Sequence, residues 1–317
     1  MFRKVLAISA ATFLVAGCSA NGNDGSPSGP VAVTATTNVW GSIAEFIGGD
    51  MAEVTSIVDQ PTIDPHSYEP SARDLLAVQD AEMVLVNGGG YDAFMEGLIE
   101  QAEGSRVVLR AVAGENDHDH SDEDHEDEEE HSHAEGNEHV WYDFHVVEEV
   151  ADQLLASLTQ LRPDSAGDFQ ANHQTFVDEL EVLEVRLEAL REKALGYGVF
   201  SITPLASIMM EDAGFEELAP KDLLEAVEEE RDISPASIAE AEVIFENPDL
   251  LMVITNEQVT DTQMQSIADM AESKGLPVIG LAELIPNEDW DYLDWMANNL
   301  DVLMATVDQA LPEQIEN

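Results

Sequence analysis

Metal-ligating side chains crowd one stretch of this chain. Residues 118–133, HDHSDEDHEDEEEHSH, hold five histidines and nine carboxylates in sixteen positions, with no lysine, arginine or large apolar residue. Neutral imidazole nitrogens suit Zn²⁺, whereas Mn²⁺ prefers oxygen-rich sets. His118, His120, His125, His131 and His133 are therefore candidate auxiliary metal donors. The same composition cannot bury enough apolar surface to offset chain entropy, so residues 115–138 read as a disordered acidic loop. Closing such a loop on an ion loses ordering entropy, and each loop site is expected to be weaker than a preformed one. Capture, local enrichment or sensing of zinc is the role this leaves; a purely solvated charge run is the alternative.

Two quieter segments flank the loop. IDPHSYEP, residues 63–70, holds His66 between Pro65 and Pro70. The prolines restrict the backbone, which helps an imidazole aim its lone pair at an ion. The competing reading is a loop histidine that merely caps a turn. NEHVWYDFH, residues 137–145, sets His139 beside Trp141 and Tyr142, whose rings can wall a site, and Asp143 can orient an imidazole N–H from behind. His145 reads as a helix-start residue, and His173 as an ordinary surface or half-buried histidine. NGGGYDAFMEG, residues 87–97, lacks the GxGxxG spacing of a phosphate cradle, and the HExxH spacing of a metallohydrolase occurs nowhere.

These segments need a scaffold. Strand-like runs VAVTATT at Val31, EVTSIV at Glu53, MVLVN at Met83 and RVVLR at Arg106 alternate with helix-length stretches, which predicts parallel βα units. GVFSIT at Gly198, LLMVITN at Leu250 and PVIGL at Pro277 begin a second series that ends in a helix. Between the two, Phe169, Phe176, Leu180, Leu183, Leu187 and Leu190 recur at intervals of three, four or seven. That spacing predicts one helix of roughly 45 Å. The expected fold is α/β: two βα lobes with parallel sheets, residues 31–163 and 197–317, joined by one long rigid helix over 164–196. His66 would then follow the second strand, in a loop at the strand C-terminal ends, where α/β folds carry function.

Charge narrows the partners. Sixty-six acidic against twelve basic residues give a formal charge of −54, which argues against nucleic acid and anionic membrane surfaces and for cations. Residues 115–138 supply 13 of those acids, so −41 remains on the rest and the acidity is global; a saline habitat is one explanation. The first twenty residues, MFRKVLAISAATFLVAGCSA, read as a signal peptide over 1–17, too short for a comfortable membrane span. Val15-Ala16-Gly17-Cys18 resembles the bacterial lipobox, and Cys18 is the only cysteine in the chain. Lipidation at Cys18, a flexible tether over 18–30, and an extracytoplasmic protein that meets the membrane only through its anchor are expected.

DPHSYE, an acidic His-rich insert and HVWYD, on two βα lobes joined by a long helix behind a lipobox, resemble the zinc and manganese solute-binding proteins of bacterial ABC transporters. The resemblance implies a monomeric receptor that captures Zn²⁺, or alternatively Mn²⁺, between its lobes and delivers it to a permease. It also implies that His66 and His139 are metal ligands. The family's third ligand, a histidine or glutamate eleven residues before a glycine, falls on Thr203, a poor donor. Its fourth, an aspartate after the last strand, falls on Ala282, with Glu283 next to it as the best available carboxylate. An exposed acid is the bland reading of Glu283. Water or another side chain such as Glu257 would complete the set. A surface adhesin or metal-buffering lipoprotein is a further alternative, and a secreted metallohydrolase a weaker one.

Overall fold

The computed structural model describes residues 29–112, 137–229, 231–258 and 261–311. The leader, Cys18 and the five loop histidines lie outside the described residues.

The N-terminal lobe runs β1 (Val31–Thr37), α1 (Asn38–Gly48), β2 (Ala52–Val58), α2 (Ala72–Asp80), β3 (Met83–Val86), α3 (Ala93–Gln101) and β4 (Val107–Arg110). Its strands pair in parallel in the order β2-β1-β3-β4, with Val33 opposite Val54 and Val84 opposite Val108. Central β3 is MVLV and buried throughout, as a strand covered on both faces must be. The C-terminal lobe repeats the plan with β5 (Gly198–Ser201), α6 (Ser207–Asp212), β6 (Glu216–Glu217), α7 (Lys221–Glu228), α8 (Pro235–Ile244), β7 (Leu250–Asn256), α9 (Thr262–Ser273), β8 (Val278–Leu281) and α10 (Tyr292–Ala310). The order is β6-β5-β7-β8, again parallel. The two-residue, exposed β6 has no apolar pattern, which is why the sequence does not announce it.

Helix α4 (Phe144–Leu161) packs with the N-terminal lobe, and α5 (Ala166–Ala194) connects the two lobes. Pro163 opens a short 3₁₀ turn, so α5 starts two residues later than the leucine pattern suggests and still extends over 29 residues. Its buried face is Phe169, Phe176, Leu180, Leu183, Leu187 and Leu190, which packs on α1 and α4 from one lobe and α10 from the other. One hydrophobic core therefore crosses the boundary and includes fully buried Trp40, Trp141, Trp295, Tyr142 and Tyr292. Truncating any such large aromatic to alanine costs about 3–5 kcal/mol.

Buried hydrogen bonds fasten the lobes as well. Tyr142 Oη donates to Ala282 O at 2.6 Å, and Asn38 exchanges bonds with the backbone of Ile285 at 3.0 and 3.2 Å. Tyr292 Oη donates to Trp141 O at 2.7 Å. Opening the lobes would break these bonds and the packing around them, so the architecture resists wide opening. Among the described residues no helix is long and apolar enough to cross a membrane.

Candidate metal centre

The strands of both sheets end on one cleft, and its first wall is the turn after β2. Asp64 accepts from the backbone N–H of His66 at 2.9 Å and from Ser67 Oγ at 3.2 Å, a local turn that holds the imidazole outward. Behind the turn, Ser71 and Asp74 form a capping box on α2, and Tyr68 Oη donates to Asp74 at 2.9 Å. His66 is thus fixed by neighbours in sequence.

His139 is fixed differently. Asn137 Nδ2 donates to Pro204 O of the other lobe at 3.0 Å, which leaves Asn137 Oδ1 as an acceptor. That oxygen lies 2.9 Å from His139 Nδ1, so Nδ1 carries the proton and Nε2 keeps its lone pair. Burial pushes the His139 imidazole down to about 4, with the pull of Glu283 too weak to restore it, and the ring is neutral at neutral pH. The orienting role read for Asp143 falls to Asn137. Asp143 instead caps α4, accepting from the N–H groups of His145 and Val146. His145 starts that helix as the sequence suggests.

Glu283 is buried rather than exposed and stands between the two imidazoles. Its Oε1 is 3.1 Å from His66 Nε2 and 3.8 Å from His139 Nε2, while Asn256 at the end of β7 donates to Oε2 at 3.1 Å. Gln258 Oε1 accepts from the N–H groups of Glu283 and Leu284, which locks the strand exit. Burial works to raise the Glu283 carboxyl, but the His66 hydrogen bond and the two imidazoles outweigh it and hold the group below its ordinary value.

Glu138 is the residue sequence reasoning missed. Counted with the acidic loop, it instead brings Oε1 to 3.1 Å from His66 Nδ1. Asn87 Nδ2 holds the Glu138 carbonyl at 2.8 Å, and Trp40 Nε1 holds Asn87 at 3.1 Å. The only sequence signal was adjacency to His139. Burial raises the Glu138 carboxyl to about 7 even against the His66 charge. With a carboxylate at each ring nitrogen, His66 satisfies both only as an imidazolium. Burial opposes that charge, yet the Glu283 hydrogen bond and the surrounding carboxylates raise it to about 9.

An aromatic floor completes the site. Tyr91 stands edge-on to His66 at 4.9 Å, and Trp141 edge-on to His139 at 5.2 Å. Tyr91 Oη is buried and closes no well-formed hydrogen bond, an orphaned donor beneath the carboxylates. The glycines before it serve the turn: Gly88 has φ +79°, and a Cβ there would meet Val112 O at 2.5 Å. Asp92 consumes the N–H groups of Asn87 and Gly88 at 2.7 and 2.9 Å, so no phosphate cradle remains.

The ligand atoms of His66, Glu138 and His139, and likewise of Asp64, His66 and Glu283, lie within 4.8 Å of one another. Asp64, His66, His139 and Glu283 line a cavity of about 370 Å³ whose other wall includes Thr203, Asn256 and Glu228. Thr203 Oγ1 caps the turn at Pro204, and Glu257 packs beside Gly280 while its neighbour Asn256 lines the cavity. Two imidazoles with converging carboxylates form a donor set for a divalent transition metal, and nothing in it resembles a nucleophile with its base.

The sequence profile of the ZnuA family, zinc-uptake complex component A periplasmic, matches residues 33–306. The chain belongs to this family. Among curated relatives, this ZnuA-family chain is 25% identical over 327 residues to the zinc-binding lipoprotein AdcA of Streptococcus pneumoniae serotype 4, covering 97% of the chain and 61% of AdcA. It is 27% identical over 177 residues to the manganese-binding lipoprotein MntA of Bacillus subtilis, covering 55% of the chain and 54% of MntA. The chain thus spans between about half and three fifths of the length of the curated relatives it matches. The periplasmic zinc binding protein TroA of Treponema pallidum shares its fold with TM-score 0.68 at 19% identity, over 88% of this chain and 99% of TroA. A Mn-bound periplasmic metal binding protein from Candidatus Liberibacter asiaticus does so with TM-score 0.67 at 18% identity, over 87% of this chain and 99% of that one.

Proposed function

We propose that this chain is the substrate-binding component of an ABC transporter, capturing extracytoplasmic Zn²⁺ in the cleft and passing it to a membrane permease. His66, His139 and Glu283 are the ligands in this reading, with Glu138 beside them. The observation that carries it is the convergence of His66, His139 and Glu283, from both lobes, on one cavity, with His139 Nε2 held as a free lone pair. The cargo leaves unchanged, so no catalysis is invoked. Membership of a zinc-uptake family and the names of AdcA and MntA support the transport role.

Mn²⁺ is the second reading, favoured by the oxygen donors Glu138, Glu283 and Asp64 around His66. Lipid attachment at Cys18, action as a monomer, and the loop histidines as weak zinc collectors belong to the same proposal. An adhesin or a metal buffer would use the same cleft without a permease; neighbouring genes for an ATPase and a permease separate these.

Competition calorimetry on the full mature chain tests the assignment. One tight site should survive deletion of residues 115–136, which spares Asn137 and Glu138, while weaker zinc binding disappears. His66→Ala and His139→Ala should each weaken the tight site by more than about 100-fold, since each removes a direct ligand. Loss of tight binding on loop deletion alone would put the centre in the loop.

A further inference from the structure

A histidine outside the cleft also meets carboxylates. His145 and Glu148 lie three residues apart on α4, so both side chains point to the same side of that helix, and Glu184 reaches them from α5. One imidazole nitrogen and one oxygen from each carboxylate lie within 4.8 Å of one another, with His145 Nδ1 3.9 Å from Glu184 Oε1. None of the three lines the cleft cavity. We propose that His145, Glu148 and Glu184 form a second, weaker metal site that bridges α4 and α5, with Zn²⁺ as the ion it takes. The proposal is independent of the reading of the cleft.

The donor set suits a transition metal. One imidazole and two carboxylates, with water in the fourth position, complete a tetrahedral Zn²⁺ shell, and the nitrogen donor selects against Ca²⁺ and Mg²⁺, which prefer oxygen alone. Two packed helices hold the positions, so binding costs side-chain freedom but little backbone freedom. His173, the other histidine on this seam, pairs with Asp152 at 2.8 Å and belongs to no such donor group among the described residues.

The local charges favour a cation on balance. Helix α4 carries no lysine or arginine, and those of α5 are engaged elsewhere: Arg186 with Ala297 O and Asp301, Arg191 with Asp212 O, and Lys193 with Asp308. A protonated His145 is the counter-charge at hand, and a metal ion takes the place of its proton. Burial raises the Glu184 carboxyl against the pull of His145, and Glu148 and Glu181 add to the rise. The positive end of α4 works against a cation here, and the Asp143 carboxylate that caps this end offsets it. His145 is exposed and the two carboxylates are half-buried, so the site binds more weakly than the enclosed cleft.

Histidine acylation by diethyl pyrocarbonate, read peptide by peptide by mass spectrometry on the full mature chain as Zn²⁺ is added, tests this at His145 itself. Zn²⁺ should protect His145 at concentrations above those that fill the cleft, and Ca²⁺ at the same concentrations should not. Glu148→Gln and Glu184→Gln should each raise the Zn²⁺ concentration for half-protection by about 10-fold or more, within the range for disturbed metal sites. Glu181→Gln, an equal change of charge about one turn from Glu184, should leave it unchanged. Protection should also persist in His66→Ala, and its loss there would tie the effect to the cleft and overturn the proposal. No protection by Zn²⁺, or a midpoint unmoved by either Glu148→Gln or Glu184→Gln, would overturn it as well. So would equal protection by Ca²⁺ or an equal shift in Glu181→Gln, both of which would mean attraction by an acidic surface rather than ligation.

Discussion

The two walls of the cleft are built by opposite strategies. On the N-terminal side, both imidazoles are aimed before any ion arrives: His66 by the Asp64 turn, His139 by Asn137 and the Trp141 ring. On the C-terminal side only Glu283 is comparably fixed, through Asn256 and the Gln258 clamp, and Thr203 spends its hydroxyl on its own turn. Preorganised donors bind without losing conformational freedom, so the N-terminal wall should dominate affinity and the C-terminal wall should tune it.

The sharpest test of that division is Glu283→Gln. It removes the one fixed carboxylate that touches both imidazoles and should weaken metal binding about 10- to 100-fold in chelator competition. Losses as large as those of the histidine variants would erase the asymmetry. Thr203→His should strengthen Zn²⁺ by about 10-fold relative to Mn²⁺, because the added nitrogen faces the cavity. No gain would mean that the C-terminal wall stands too far from the ion.

Protons compete with the metal for the N-terminal wall. His66 is protonated below about 9 in the metal-free protein, so each ion that binds near pH 7 must displace its proton. Apparent affinity should therefore rise by roughly tenfold per pH unit from 7 towards 9, and more steeply below about 7, where Glu138 is protonated too. Calorimetry in buffers of different ionisation enthalpy should count the proton released; no buffer dependence would contradict this. The smallest expected effect is that of Tyr142→Phe, which leaves the Ala282 carbonyl between the lobes without its donor. A loss of about 1–3 kcal/mol in unfolding free energy is expected, measured by denaturant titration.

Much of the scaffold was legible because its signals are local. Continuous apolar runs such as MVLV and the LLMVI of LLMVITN mark strands buried on both faces, and the leucine spacing of α5 marks a long helix. The exposed pair that forms β6 carries no such pattern and is strand only because β5 lies beside it. The site was legible only in part. His66 stood out between two prolines and His139 beside two aromatic rings, but Glu138 was indistinguishable from the acids before it. Asp143, read as an orienting group, proved to be a helix cap, since a side chain at that position meets the free N–H groups of α4 first.

By itself, then, the sequence determined the two parallel α/β lobes, the long connecting helix and two of the converging imidazoles. Only the tertiary structure decided that Glu283 is buried between those imidazoles and that Glu138 reaches His66. Strands and helices follow from periodicities of a few residues. A carboxylate becomes a candidate ligand through neighbours that lie 72 residues away for Glu138 and His66, or 217 for Glu283 and His66, and no local pattern records that distance.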